Sequence, residues 1–217
     1  MDNQADARQP YRIVTPPSAA TMACKRAFDI LCSFLGLTVL SPVLLVVSVL
    51  VAVTSPGGVF FRQERIGKDG KPFRIFKFRS MRKDNAGLKI TTGNDSRITP
   101  VGRFLRKSKI DELPQLINVL VGDMSFVGPR PEVADYVNLY TPYQRQVLLV
   151  RPGITGLASI RFRNENDLLT ASDDPNRTYV EQIMPRKIDL DLEYIPHASV
   201  FYDIKLIFQT FAVVIKE

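Results

Sequence analysis

The hydrophobic pattern is most uneven near the start of the chain, where a long segment carries no charge. No Asp, Glu, Lys or Arg occurs from Ile30 to Phe61, and residues 30–53 are almost entirely apolar. A helix of roughly 20 apolar residues can cross a bilayer, so the length permits a membrane segment. Residues 1–20 are polar and carry several prolines, which predicts a flexible tail.

Two features of the apolar segment favour a hairpin that enters and leaves the membrane on one face. Ser41 and Pro42 fall near its middle, where proline removes a backbone donor and disfavours helical dihedrals in the residue before it. Each half is then about 12 residues, or ~18 Å, too short to cross a core of ~30 Å. Basic residues flank both ends, which suits a re-entrant helix-break-helix over 23–56 better than a kinked spanning helix.

The residues at the entry to this segment include one carboxylate among two cations. Asp29 follows Lys25 and Arg26 by about one turn. A carboxylate near a membrane is costly unless it is paired or lies at the headgroup level. We therefore expect an ion pair between Asp29 and one of these two cations.

The rest of the chain predicts a small, mostly helical α+β domain over 57–217. Alternating residues on either side of a tight turn predict a β-hairpin from 59–67 and 72–81. Apolar spacing over 101–122 predicts two helices with a junction near Ser108 to Asp111. Residues 164–178 read as a polar loop, and amphipathic helices are predicted in 178–195 and 200–217.

Composition narrows the chemistry only partly. The formal net charge of +7, from 29 Lys and Arg against 22 Asp and Glu, fits nucleic acid, an anionic membrane surface or a phosphate-rich substrate. The single histidine excludes mechanisms that need two, and two cysteines eight residues apart suggest neither a disulfide framework nor a zinc site.

The adjacent carboxylates Asp111 and Glu112 are the strongest candidates for catalysis. Several basic residues surround them, including Arg106. A carboxylate can bind Mg²⁺ or attack an electrophilic phosphorus, and arginine binds phosphate, so the combination suits phosphoryl transfer. The plain alternative is that Asp111 caps a helix beside a solvated basic face.

Two proline- and glycine-containing motifs follow. In "GPRPE", 128–132, the prolines Pro129 and Pro131 restrict the backbone around Arg130, whose guanidinium can grip a phosphate or stack on a base. In "RPGITG", 151–156, the glycines allow a ligand to approach the backbone closely, although no GK[ST] follows as in a P-loop.

Together these segments resemble the monotopic phosphoglycosyl transferase superfamily, the bacterial sugar transferases that start glycan assembly on undecaprenyl phosphate. The resemblance covers most of residues 23–160, with a looser match at "YDIK". It rests on "KRAFDI" (25–30), Ser41-Pro42, "KFRSM" (77–81), "ITPVGRFLRKSKIDELPQLINVLVGDMSFVGPRPE" (98–132) and "RPGITGLA" (151–158).

The resemblance implies a re-entrant helix in the bacterial inner membrane with the catalytic domain on the cytoplasmic face. Lys25, Arg26 and Asp29 match residues that anchor the helix at the headgroup level. The implied partners are a UDP-sugar, undecaprenyl phosphate and membrane lipid, without nucleic acid, and a homodimer stays open. The implied reaction gives undecaprenyl-diphosphate-sugar and UMP, the first membrane step of polysaccharide or glycoconjugate assembly.

The resemblance also assigns roles to residues. Asp111 matches a nucleophile that attacks the β-phosphate and forms an aspartyl phosphosugar, which undecaprenyl phosphate then attacks. Glu112 matches its partner carboxylate, and Mg²⁺ is expected at Asp111. Arg106 matches a phosphate-binding arginine. The residues that match a uridine-binding motif are Pro129, Arg130 and Pro131.

The chain departs from the family pattern in two places. Residues 159–166 read "SIRFRNEN" where many members have a "xVNGRN"-like run, and Asp191 begins "DLEY" where the family often has "DxYY". These differences leave the sugar open. Two other functions also fit the residues: a basic membrane-tethered binding module without catalysis, and a membrane phosphatase that releases its product to water.

Overall fold

The computed structural model describes residues 13–55, 57–82 and 97–215 and shows an α+β fold that is mostly helical. One long helix precedes a two-stranded hairpin, and short helices and a second pair of strands complete the domain. The elements are α1 (Ala19–Thr54), β1 (Phe60–Ile66), β2 (Pro72–Phe78), α2 (Pro100–Lys107), α3 (Gln115–Val121), β3 (Ser125–Val127), α4 (Ala134–Val137), β4 (Gly153–Thr155), α5 (Leu157–Arg161), α6 (Glu165–Thr170), α7 (Pro175–Thr178), α8 (Met184–Tyr194) and α9 (Val200–Ile215).

Helix α1 continues through Pro42, so the two separate helices predicted for 23–56 are not seen. Pro42 cannot donate to the carbonyl of Thr38, four residues earlier. The Ser41 hydroxyl donates to that same carbonyl oxygen over 2.8 Å and replaces the missing donor. This replacement explains why Ser41 and Pro42 do not interrupt the helix. A re-entrant path through a membrane stays a prediction.

One face of α1 packs against the rest of the domain near both ends of the helix. Lys25, Asp29 and Ser33 are buried near its start, and Val47 and Val51 are buried near its end. The opposite face is apolar and exposed, at Leu31, Phe34, Leu35, Val39, Leu45, Val46, Val49 and Val53 among others. Within the described residues, α1 is the one helix long and apolar enough to cross a membrane by length and composition.

The described part of the predicted tail packs on the domain. Residues 1–12 lie outside the described residues. Val14 is buried in the main core, and its backbone N–H donates to the Gln146 side chain over 2.7 Å. Helix α1 then begins at Ala19, with the Ser18 hydroxyl accepting from the Thr21 backbone N–H. Val14 therefore packs on the domain just before α1 begins, and the flexible tail predicted for residues 1–20 stays a prediction.

The predicted hairpin is confirmed, with β1 and β2 antiparallel. Helix α3 lies across β2 and fixes it through one buried side chain, Asn118. Its amide donates to the Arg74 carbonyl, and its oxygen accepts from the Phe76 N–H, at 2.9 and 2.8 Å. Lys77 is the next residue along β2, so this contact sets where Lys77 points.

The main core lies between the segment 134–150 and helices α8 and α9. Helices α8 and α9 confirm the two amphipathic helices predicted at the end of the chain. The polar loop predicted for 164–178 is wrong, because α6 and α7 form there. Asp174 caps α7 by accepting from the Arg177 N–H, and Pro175 occupies the first turn, where proline needs no partner.

The strands β3 and β4 pair in parallel and bring the two glycine-containing motifs together. A Cβ on Gly153 would lie 2.1 Å from the Gly128 nitrogen, and one on Gly156 would lie 2.4 Å from the Gly128 oxygen. Only glycine permits backbones to approach this closely. The motifs 128–132 and 151–156 therefore pack backbone against backbone at Gly128, two residues before Arg130.

Candidate active site

Asp111 and Glu112 lie in the junction between α2 and α3, as the sequence predicted. A single 3₁₀ turn, Ile110–Glu112, connects the two helices. It begins after Lys109, which adopts a left-handed conformation with φ of 57°. A lysine in this conformation is uncommon and often marks a functional site. The tight turn directs both carboxylates toward β2.

Asp111 is 1% exposed and faces Lys77. Its Oδ2 lies 3.1 Å from Lys77 Nζ and forms an ion pair, but neither carboxylate oxygen has a hydrogen bond of good geometry among the described residues. Burial raises the pKa of Asp111, and the charge of Lys77 opposes that rise. A buried carboxylate that pairs with one cation and accepts no hydrogen bond is suited to act as a nucleophile or to bind a metal ion.

Glu112 is held by two cations. Its Oε1 lies 3.0 Å from Lys77 Nζ and 3.3 Å from Arg130 Nη2. Burial tends to raise the pKa of Glu112, but Arg130, Lys77 and Lys109 together hold it well below its usual range. Glu112 is therefore a fixed anion, whereas its neighbour Asp111 is the more basic carboxylate.

Arg106 lies in the last turn of α2, on the same side as the carboxylates. Its Nη1 is 3.5 Å from the Met81 sulfur, and its charge lowers the pKa of Asp111. The structure thus brings two cations and two carboxylates into one cluster: Arg106, Lys77, Asp111 and Glu112.

The loop 129–131 meets this cluster through Arg130. Pro129 and Pro131 are buried, while the Arg130 side chain is 41% exposed and reaches Glu112. Arg65 donates to the Pro131 carbonyl over 3.1 Å and fixes the far side of the loop. A pocket adjoins the loop and is lined by Ile66, Tyr140, Val147, Val150 and Pro152 in addition to the loop itself.

Lys25 and Asp29 are both buried within the domain. The ion pair predicted between Asp29 and Lys25 or Arg26 is wrong. Lys25 pairs instead with Asp203 of α9 and donates to the Val127 carbonyl over 3.0 Å. Asp29 accepts from the Ser125 hydroxyl and the Phe126 N–H, both at 3.1 Å. Both residues bind β3, the strand that leads into the loop 129–131.

Arg26 likewise binds another helix of the domain, α3. Its guanidinium donates to the Val119 and Leu120 carbonyls at the end of α3, at 2.5 and 2.8 Å. Both carbonyls lie in the last turn of α3, where the Val119 carbonyl also accepts from the Gly122 N–H, and a cation there is favourable. Lys25, Arg26 and Asp29 therefore join α1 to the domain, and an anchoring role toward lipid stays a prediction.

The donor set at Asp111 fits Mg²⁺. The two Asp111 oxygens are buried, and no described residue donates a hydrogen bond to either of them. The described residues contain no group of three or more His, Cys, Asp or Glu side chains able to form a complete cage. Mg²⁺ is commonly held by one or two carboxylates together with substrate phosphates, so a single carboxylate here is enough.

Sequence reasoning missed Lys77 as a site residue, although it quoted the segment that contains it. Lys77 bridges Asp111 and Glu112, which lie more than 30 residues later. The hairpin prediction placed Lys77 on a strand, but nothing local showed which helix would pack on that strand. Correlated changes at position 77 and positions 111 and 112 among related sequences are the signal that could have revealed this contact.

Replacing Lys77 by glutamine should move the acid limb of the pH–rate profile to higher pH. Lys77 lowers the pKa of Asp111 against the effect of burial, so its removal lets that pKa rise further. A carboxylate attacks phosphorus only in its ionised form, so with Asp111 as the expected nucleophile activity falls as the pH falls through this pKa. The measurement is kcat/KM against pH. Lys71→Gln, an exposed neighbour with the same charge change, is the control. An acid limb that stays in place or moves lower contradicts the role of Lys77.

Comparison with known proteins gives the same assignment as the site. The sequence model of the family described as bacterial sugar transferase matches residues 20–217. The chain belongs to the bacterial sugar transferase family. The matched region contains α1, the acidic pair and the loop 129–131.

Several curated relatives share much of this chain. A UDP-glucose:undecaprenyl-phosphate glucose-1-phosphate transferase of Escherichia coli (strain K12) is 44% identical over 90% of this chain and 41% of its own length. A UDP-N-acetylgalactosamine-undecaprenyl-phosphate N-acetylgalactosaminephosphotransferase of Aeromonas hydrophila is 38% identical over 89% of this chain and 44% of its own. The chain spans less than half the length of these two relatives.

One relative has nearly the same length as the matched region. The exopolysaccharide production protein PSS of Rhizobium leguminosarum bv. phaseoli is 41% identical over 87% of this chain and 94% of its own length. The matched region therefore makes up nearly the whole of this relative, whereas it is less than half of the two relatives described above.

Proposed function

We propose that this sugar transferase moves a sugar 1-phosphate from a UDP-sugar to undecaprenyl phosphate, through a covalent intermediate on Asp111. The observation that carries the proposal is the state of Asp111: a buried carboxylate whose oxygens accept no hydrogen bond from the described residues and which pairs with Lys77 in the field of Arg106. The Escherichia coli and Aeromonas hydrophila relatives are named as transferases of sugar phosphates to undecaprenyl phosphate, which supports the same class of reaction here.

The first step forms one bond and breaks one. An Asp111 oxygen attacks the β-phosphorus of the UDP-sugar, and the bond from that phosphorus to the bridging oxygen breaks. UMP leaves with the electron pair, and a sugar phosphate stays on Asp111 as a mixed anhydride. Lys77 and Arg106 supply positive charge beside the phosphates, where charge increases on the leaving oxygen.

The second step breaks the bond between Asp111 and phosphorus and forms a new bond from phosphorus to the lipid phosphate. A phosphate oxygen of undecaprenyl phosphate attacks the phosphorus, and Asp111 leaves as a carboxylate. Glu112 stays ionised because Arg130 and Lys77 stabilise its charge. It is suited to orient the attacking group rather than to accept a proton, because its pKa lies well below the usual range. Mg²⁺ at Asp111 would add positive charge at the diphosphate.

The contacts of α1 support a re-entrant path. Lys25 and Asp29 near one end and Val47 and Val51 near the other all contact the same domain. A helix standing across a bilayer holds its ends on opposite sides of a core ~30 Å thick. One domain could not reach both ends without entering the hydrocarbon, so entry and exit on the same face fit these contacts better. We propose that this face is the cytoplasmic one.

Thiol labelling tests this topology. In a chain carrying Cys24→Ser and Cys32→Ser, single cysteines are introduced by Ala20→Cys and Thr54→Cys, both at exposed positions. A membrane-impermeant maleimide should label both positions in inside-out vesicles and neither in right-side-out vesicles. Labelling of the two positions from opposite sides would establish a spanning helix and contradict the re-entrant path.

The reaction is tested by UMP release from a panel of UDP-sugars with Mg²⁺ and undecaprenyl phosphate. The panel includes UDP-glucose and UDP-N-acetylgalactosamine, the donors named for the relatives. Release that requires undecaprenyl phosphate for multiple turnovers supports a transferase, and the best donor identifies the sugar. Continued release to water without the lipid would indicate a hydrolase. No release from any donor would favour a binding module.

A further inference from the structure

Glu132 directly follows the loop 129–131 and carries a carboxylate that the reaction described above does not use. Its side chain is 13% exposed. One carboxylate oxygen accepts a hydrogen bond from the Tyr179 hydroxyl, and the other lies 3.6 Å from Arg65 Nη1. Glu132 therefore connects strand β1 with the helical turn Tyr179–Ile183, which leads into α8.

The loop is held at both ends through main-chain carbonyls. Its two prolines have no N–H, so their main chain can be bound only through oxygen. The Pro129 carbonyl accepts from the Gly153 N–H of β4 over 2.9 Å. The Glu132 carbonyl accepts from the Ile66 N–H of β1 over 2.8 Å. The position of Arg130 between these two contacts therefore depends on what fixes each end.

Arg65 links the Glu132 side chain back to the loop. Its Nη1 donates to the Pro131 carbonyl over 3.1 Å and lies beside the Glu132 carboxylate. Its Nε is buried and has no hydrogen-bond partner among the described residues. Burial lowers the pKa of Arg65, and the charge of Glu132 opposes that fall. Because a buried guanidinium is costly without an anion, Glu132 is the group that keeps Arg65 at the loop.

Tyr179 fixes the other side of the carboxylate. It is 4% exposed, and its ring packs on Tyr136 with the centroids 4.9 Å apart. Lys187 Nζ lies 5.3 Å from the centroid of the same ring. The phenol is a neutral donor, so it orients the carboxylate without balancing its charge. Tyr179 therefore sets the direction of Glu132, whereas the charge of Glu132 is balanced by Arg65.

The charge of Glu132 also acts on the Arg130 side chain. Arg65 and Arg130 repel each other, and Glu132 attracts both. The Arg130 side chain is 41% exposed, and its Nη2 lies 3.3 Å from Glu112. Without the Glu132 charge, the repulsion from Arg65 would act on a side chain that has room to move away from the acidic pair.

We propose that Glu132 is a positioning residue for the transfer reaction: its carboxylate fixes the end of the loop and so keeps the Arg130 guanidinium against Glu112. This inference rests on the proposed function. A carboxylate that only balanced a buried cation would act on stability, and its effect on the reaction would not depend on the Arg130 side chain.

A double-mutant cycle between Glu132→Gln and Arg130→Ala separates these roles. Glutamine has the shape of glutamate but no charge, so it cannot balance Arg65. We expect Glu132→Gln alone to lower kcat/KM for the UDP-sugar by roughly 10- to 100-fold, because a misplacement of about 1 Å in a site can cost on the order of 100-fold. Glu64→Gln, the same change at an exposed position of β1, is the matched control and should leave kcat/KM unchanged.

In the Arg130→Ala background, Glu132→Gln should have almost no further effect on kcat/KM, because the side chain that it positions is gone. Independent, multiplying effects would overturn the proposal, and so would full activity of Glu132→Gln alone. The melting temperature is measured on the same preparations. A lower melting temperature with multiplying kinetic effects would mean that Glu132 is a structural residue only.

Two further measurements keep the inference separate from its foundation. If the wild type releases no UMP from any donor, the proposed function fails, and UMP affinity, measured by titration calorimetry in lipid nanodiscs, decides the inference. Coupled losses of affinity would then support it, whereas independent losses or no binding would overturn it. If Glu132→Gln does not fold, Tyr179→Phe takes its place in the cycle with the same outcomes, because it removes one hydrogen bond to the carboxylate and no charge.

Discussion

The Asp111→Asn variant is expected to release UMP at least on the order of 10⁴-fold more slowly than the wild type, because an amide cannot attack the β-phosphorus. The fold should survive. Burial raises the pKa of Asp111, so its charged form is unfavourable in the folded state at neutral pH, and a neutral isostere removes that cost. UMP release and the melting temperature are measured on the same preparation.

The control is Asp173→Asn, the same chemical change at an exposed position. It should keep full activity. An Asp111→Asn protein that is folded and retains more than about a tenth of the wild-type rate would exclude Asp111 as the nucleophile, since loss of a nucleophile costs far more than tenfold.

The second large effect is on stability. Lys25→Met should destabilise the protein by about 3–5 kcal/mol, because it leaves the Asp203 carboxylate buried without its cation. Both side chains are almost fully buried, at 5% and 0% exposure. Tyr194 donates to Asp203 over 2.6 Å but carries no charge to balance it. For a chain of this size, the melting temperature in nanodiscs should fall by on the order of 10 °C.

Removing both charges should restore much of the loss. In Lys25→Met combined with Asp203→Leu, no charge is left buried and unpaired, so the double variant should melt above Lys25→Met alone. Lys205→Met, an exposed change on the same helix as Asp203, should have little effect. A double variant that melts lower still would show that the pair is not held by charge balance.

Local patterns were enough to predict the elements that carry the acidic pair. Alternation with a tight turn predicted β1 and β2, and helical spacing on each side of Ser108 predicted the junction that contains Asp111. Each of these signals depends on residues close in sequence. The capping pattern at Asp174 and Pro175 was equally local, yet the polar composition around it favoured a loop.

Contacts between distant residues were not predictable from one sequence. Lys25 and Asp203 are 178 residues apart, and Asp29 binds β3 rather than the cations next to it. Lys77 meets the acidic pair only because Asn118 fixes β2 against α3. The break at Pro42 was predicted from the missing donor, and the Ser41 hydroxyl supplies a donor in its place.

The covalent intermediate is tested most directly by the intact mass of the protein after incubation with the preferred UDP-sugar and Mg²⁺, without undecaprenyl phosphate. The account predicts that the wild type gains the mass of one sugar phosphate and releases an equal amount of UMP. Asp111→Asn should gain none, and added undecaprenyl phosphate should remove the adduct from the wild type. UMP release that requires the lipid and never produces an adduct would contradict transfer through Asp111.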